Sequence, residues 1–343
     1  MRKLLNTLYV TTEESYLSLD GENIVVWKDG KRLGRFPLHV LNNVVYFGYK
    51  GASPQLLGAC AKRNIGFSFF SGHGRFRARI AGESQGNVLL RKTQYRVSDD
   101  DESACGIARN FIVGKIYNAR WVLERLLRDH PLQVDVEAVS AASSDLANFT
   151  MAASESDNLD TLRGIEGSAA RSYFGVFDQM VLSNKEFFAF DGRSRRPPKD
   201  PVNALLSFAY VMLINDCASA LEGAGLDSYV GFMHQDRPGR KSLALDLVEE
   251  LRSVFADRVV LNCINNRKIQ PKHFEERETG ECLLTEEGRK VFIDAWQSKK
   301  REELRHPYLK EKVQWGLLPH VQSLLLARCL RGDIDEYPPF LWK

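Results

Sequence analysis

Four consecutive acids, Asp99-Asp100-Asp101-Glu102, separate two stretches of this 343-residue chain whose apolar residues repeat with different periods. Before them the pattern is that of strands, whose side chains alternate faces. Tyr16–Leu19 and Ile24–Trp27 flank Asp20-Gly21, a hairpin signal whose extra residues point to a loop longer than two. Asp29-Gly30 marks another turn, and Val44–Phe47 and Ile65–Phe70 read as buried strands. Ser53-Pro54 reads as a helix start between them, with Ser53 as N-cap. After the acids, helical spacing takes over. It runs through Arg109–Leu127, a helix opened by Asp200-Pro201, another opened by Thr285-Glu286-Glu287, and Leu318–Leu330. The expected class is α+β: a small β-rich N-terminal domain over 1–97, a linker over 98–104, and a larger all-helical domain over 105–343. The aromatic tail Tyr337–Trp342 is expected to dock on the body, because exposed rings are costly.

Composition narrows the function classes. With 44% hydrophobic and 27% charged residues the chain is a globular protein rather than a disordered one. The apolar run Ala204–Ile214 is too short to cross a bilayer, so no membrane association is expected. The six cysteines form no C-x-x-C pair, which argues against a zinc ribbon or thioredoxin-type site and suits a reducing cytoplasm.

A net charge of +3 says little about a nucleic-acid partner, but its distribution says more. Between Lys62 and Arg96 the chain is strongly basic, with Glu83 the only acid. In the strand Arg75–Ile80, alternation puts Arg75, Arg77 and Arg79 on one face. That face is either a protected edge strand or a phosphate contact. A second basic run, from Lys268 to Arg305, reads first as a solvated helical surface.

The segment Gly231–Glu250 carries the best candidates for chemistry. Ser242 is the expected N-cap of a helix in which Leu243, Leu247 and Leu251 form a core-facing stripe. Asp246 and Glu249 sit side by side off that stripe, at i and i+3. Two adjacent carboxylates are either solvated or compensated by a cation. His234 lies 12 residues upstream of Asp246, and Arg237, Arg240 and Lys241 between them suit phosphate oxygens. Earlier, Glu166 stands among Gly164, Gly167, Ser168, Ala169 and Ala170, small residues that admit a neighbouring helix or leave room for a substrate.

These blocks together resemble the CRISPR-associated protein one family. The matching pieces are Gly164-Ile165-Glu166-Gly167 with Arg171, Tyr173 and Phe174, then Asp200–Ser207 with Tyr210, Gly231–His234, and Ser242–Glu250. Val44–Gly48, Phe69–Arg75 and Arg91–Tyr95 extend the likeness into the N-terminal part. Within the family the pattern looks closest to subtype C of the type I systems.

The resemblance implies an integrase that inserts captured DNA fragments as new spacers into a CRISPR array. It implies a Mg²⁺ or Mn²⁺ site made by Glu166, His234 and either Asp246 or Glu249, with no organic cofactor. The family usually carries aspartate at both helix positions, and the second here is Glu249. Arg171, Tyr173, Asn203 and Tyr210 are implied DNA or supporting contacts, though Tyr173 and Tyr210 equally suit core packing. The implied partners are double-stranded DNA (spacer precursor and repeat), a second copy joined through the N-terminal domain, and CRISPR-associated protein two. Two other readings share these residues: a free-standing metal-dependent nuclease acting on branched DNA in repair, and a non-catalytic DNA scaffold.

Overall fold

The computed structural model describes residues 7–12, 14–41, 43–63, 65–71, 76–80, 88–194 and 197–343. The strand-rich part comes first, as expected. It contains β1 (Thr7–Val10), β2 (Tyr16–Asp20), β3 (Asn23–Lys28), β4 (Lys31–Pro37), β5 (Asn43–Tyr46), α1 (Pro54–Lys62), β6 (Gly66–Phe70) and β7 (Phe76–Ile80). β2, β3 and β4 form an antiparallel meander. A second sheet has the order β1-β5-β6-β7, parallel except for the last pair. Ser53 caps α1, its hydroxyl accepting from Leu56 N at 3.2 Å. The Asp20-Gly21 hairpin is tighter than expected: Asp20 pairs with Asn23, leaving a two-residue loop in which Gly21 takes φ +55°.

Alternation along β5 explains how this part joins the rest. Val44 and Tyr46 face the N-terminal core with Leu17, Ile24 and Phe67, while Val45 and Phe47 face the helical body. The Phe47 ring lies 6.1 Å from that of Phe208.

The helical part holds α2 (Val88–Asp99), α3 (Asp101–Asp129), α4 (Val136–Ser154), α5 (Leu159–Gly175), α6 (Pro201–Gly223), α7 (Ser242–Leu251) and α8 (Arg258–Asn265). β8 (Phe274–Glu276) and β9 (Cys282–Leu284), α9 (Glu286–Arg301), β10 (Glu303–Arg305) and β11 (Lys312–Gln314), and α10 (Leu318–Leu330) complete it. Two short hairpins, β8–β9 and β10–β11, are inserted among helices that otherwise dominate. The acidic run expected as a linker is helical on both sides of one residue. Asp100 breaks the helix and caps α3, accepting from Ser103 N at 3.0 Å, and Asp101 and Glu102 sit in the first turn where the dipole favours them.

The helix α6 is long and apolar enough, at 23 residues, to cross a membrane by composition. Here it is the central core helix, packed against α7 and α10 and burying residues on every side. Asp200 caps it, accepting from Asn203 N at 2.8 Å. The leucine stripe of α7 is buried as expected, each side chain contributing about 1.5–3 kcal/mol. Ser242 is not its N-cap: it is the first helical residue, and its hydroxyl donates to the Gln235 carbonyl at 3.0 Å. Tyr337 and Phe340 of the tail are buried.

Candidate active site

Of the two alternatives for the α7 acids, solvation fails: Asp246, Glu249 and Glu250 are all buried. The helix lies under α3 and α6, and each carboxylate finds a different environment.

Asp246 is the organiser. Its two oxygens accept backbone N–H groups from Phe232 (2.7 Å), Met233 (3.1 Å) and His234 (3.0 Å). Oδ1 also takes the His234 ring at Nδ1, 2.6 Å away. A carboxylate can only accept here, so Nδ1 donates, and in the neutral ring Nε2 keeps its lone pair for a ligand. Gly231 makes this loop possible. A Cβ there would lie 2.9 Å from Asp246 Oδ2 and 2.9 Å from the Ser242 backbone. Arg163 steadies the loop from α5, donating to the Met233 carbonyl at 3.2 Å.

Glu249 and Glu166 are brought together by a residue the sequence reading missed. Lys115 of α3 pairs with Glu166 and lies 2.7 Å from Glu249 Oε2. Arg252 holds the other Glu249 oxygen at 2.8 Å. Burial raises the Glu249 pKa, but Arg252, Lys115 and nearby His234 outweigh it and lower it to about 2. Glu249 is therefore a buried, permanently ionised carboxylate. Around Glu166 the helix face is open: a Cβ on Gly164 or Gly167 would meet nothing, so these glycines leave room rather than admit a helix. A cleft of about 880 Å³ reaches His234, walled by Asp99, Asp101, Glu102, Asp157 and Asp160.

The donor set fits a hard divalent cation. Two carboxylates and an imidazole nitrogen suit Mn²⁺ or Mg²⁺. Of the four expected ligands, Asp246 spends its oxygens on the loop, whereas Glu166 and Glu249 share Lys115. Among the described residues no three such side chains stand close enough to share an ion, and Lys115 lies between two of them.

Several residues expected as DNA or supporting contacts have partners within the protein. Tyr173 and Tyr210 are buried and donate to Asp257 at 3.0 and 2.7 Å. Burial raises Asp257 to about 6, against the pull of Tyr210 and Arg252. Arg193 and Arg252 stack on the Tyr210 ring at 5.1 and 4.8 Å. Asn203 is fully buried and ties the 192–200 loop, accepting from Arg193 and Ser194 and donating to Gly192 and Asp200. Arg79 is not on a free face: it pairs with Glu222 at the end of α6. Lys241 is largely buried and donates to Asn215 at 3.2 Å; burial, then Arg79, lowers its pKa to about 8. Arg75 lies outside the described residues. Arg77, Arg171 and Arg237 are exposed and Arg240 half-buried. The second basic run is largely paired, with Lys272 on Glu287, Lys290 on Glu286 and Lys300 on Asp216.

Arg252 was within reach of the sequence, three residues after Glu249 on the same helical face. Lys115 was not, since nothing local ties it to residues 51 and 134 positions away.

A strand-rich unit set on a helical body that holds an aspartate-oriented imidazole beside two cation-bound glutamates defines a class of enzyme-like architecture. Residues 8–298 match the family model described as CRISPR associated protein Cas1. The chain is 50% identical over 347 residues to the CRISPR-associated endonuclease Cas1 2 of Rhodospirillum rubrum, covering all of both chains. It is 48% identical over 343 residues to the CRISPR-associated endonuclease Cas1 1 of Chlorobaculum tepidum, again end to end. A solved casposase bound to an integration product shares the fold, with TM-score 0.83, 21% identity, and coverage of 99% of this chain and 94% of that one. The chain belongs to the Cas1 family.

Proposed function

We propose that this protein is a metal-dependent DNA integrase of CRISPR adaptation, joining foreign DNA fragments to the repeat array as new spacers. The observation that carries the reading is the meeting of Glu166 and Glu249 at one cation, with His234 turned by Asp246 so that Nε2 is free. The reaction is a transesterification. A fragment's 3′-hydroxyl forms a new P–O bond while one P–O bond of the repeat breaks and its 3′-oxygen leaves. One phosphodiester replaces another, so no external energy source is needed.

Glu166, Glu249 and His234 Nε2 would hold Mn²⁺ or Mg²⁺, and such an ion would supply Lewis-acid stabilisation of the phosphoryl oxygens. Asp246 keeps the imidazole in its tautomer and orientation. Arg252 holds Glu249 from the protein side. Arg77, Arg171, Arg237 and Arg240 are the basic residues left to position phosphates. As part of the same reading, the protein works as a homodimer joined through its N-terminal part, with CRISPR-associated protein two, in the cytoplasm, in a system of type I subtype C. The buried free cysteines suit that compartment.

The test is strand transfer. A labelled fragment with 3′-hydroxyl ends, a repeat-bearing plasmid, Mn²⁺ and CRISPR-associated protein two should yield a covalently joined product. Cleavage without joining would favour the repair nuclease, and full joining by H234A would favour a scaffold.

A further inference from the structure

Four charged side chains meet at the centre. Glu166 and Glu249 are negative, Lys115 and Arg252 positive, and the side chains of Lys115 and Glu249 are only 12% and 5% exposed. A divalent ion placed between these two carboxylates would sit against the Lys115 ammonium, a like-charge repulsion that is costly at low dielectric. Something has to move.

Arg252 is poorly placed to do so. It is sandwiched on the Tyr210 ring and held by Glu249, with the Tyr210 hydroxyl in turn fixed on buried Asp257. Lys115 has a flexible four-carbon stem and a single ammonium. It also serves both acids at once, pairing with Glu166 while lying 2.7 Å from Glu249 Oε2.

We infer that Lys115 is a resident counter-ion which keeps Glu166 and Glu249 together before metal binds, then yields its place to the ion and turns to a DNA phosphate. This rests on the metal site proposed above and adds a coupling to it. A phosphate that takes the ammonium frees both carboxylates for the ion. The ion, by expelling the ammonium, offers it to a phosphate. Metal and DNA should then tighten each other's binding by the same factor, as linkage demands. The device would hold the centre metal-poor until DNA arrives.

The test is Mn²⁺ binding to the full-length protein by calorimetry, without DNA and with a short repeat-free duplex, the DNA-only heat subtracted. Wild-type protein should bind Mn²⁺ about tenfold more tightly when the duplex is present. K115M should bind about tenfold more tightly than wild type without DNA and gain little from it. K115R, which keeps the charge, should not show that gain in the DNA-free state. Equal Mn²⁺ affinity of the wild type with and without duplex would overturn the inference even if K115M proved too unstable to study. So would K115M binding no tighter than wild type. Undiminished Mn²⁺ binding by H234A and E249Q would instead remove the metal site itself, a separate failure.

Discussion

Glu249 and Glu250 are neighbours on one helix, chemically identical and both buried, yet their surroundings drive them in opposite directions. Glu249 faces Arg252 and Lys115 and is held at about 2, where it is always charged. Glu250 faces the C-terminal tail and meets no cation among the described residues: it accepts from the Tyr337 hydroxyl, the Gln322 amide at 3.0 Å and Phe340 N at 2.5 Å. Burial raises it to about 8, against those hydrogen bonds. One step along α7 therefore separates a carboxylate equipped to hold an ion from a carboxyl group that fastens the tail. Asn118 reinforces the fastening side, donating at 2.7 Å to the carbonyls of both Glu250 and Phe340. A buried acid becomes chemical when cations hold it ionised, and structural when only dipoles meet it.

The largest expected effect breaks the chemical side. E249Q and E166Q should each lose strand transfer by about a thousandfold, as expected for loss of several kcal/mol of charge stabilisation, with folding intact by circular dichroism. D246N should lose roughly 10- to 100-fold, because it misorients His234 without removing an ion ligand. A loss from D246N equal to that from E249Q would erase the division of roles argued here.

On the structural side the readout changes from activity to stability. E250A strands the Tyr337, Gln322 and Phe340 donors and should destabilise the fold by about 3 kcal/mol in urea titration. E250Q keeps an acceptor and should cost far less. The pH dependence sharpens the contrast. Glu250 takes its folded pKa above the usual 4.5, so its contribution to stability is complete below about pH 4.5 and is lost as pH rises through about 8. Glu249 is shifted the other way: its contribution is complete above about pH 4.5 and is lost as pH falls toward 2. The difference between wild type and E250Q should thus shrink or reverse across pH 5 to 8, by at most about 1.4 kcal/mol per pH unit. A parallel pair of stability curves would contradict the assignment. The smallest effect belongs to the surface: R77E should lower the salt slope of DNA binding by about one phosphate contact. R79E should instead unfold the protein more easily, since it opposes Glu222.

Local signals in the chain were good guides where local physics decides. Ser53, Asp200 and Thr285 cap their helices as their positions suggested, because a cap needs only a side-chain oxygen and the next three residues. Leu243, Leu247 and Leu251 face the core because helical spacing alone aligns them. At 98–104 four acids read equally as a loop and as a helix start, and the Asp100 cap makes the segment helical on both sides. Tyr173, Tyr210 and Asn203 were expected as DNA or supporting contacts, with core packing open for the two tyrosines; their partner Asp257 lies 84 and 47 residues from the tyrosines and was not legible locally, whereas Asn203 ties the loop just before it. The arginine strand showed its shared face but not Glu222, 143 residues beyond Arg79. Lys115 was invisible for the same reason. The site is a tertiary object, and the cation that completes it comes from the helix α3.

Anomalous diffraction from a crystal of the protein soaked in Mn²⁺ tests the central claim most directly. The account predicts one manganese peak within about 2 Å of oxygens from Glu166 and Glu249 and of His234 Nε2, with Asp246 still on Nδ1 and Lys115 swung away. A manganese bound through Asp246, or one found elsewhere while Lys115 keeps its two glutamates, would contradict it.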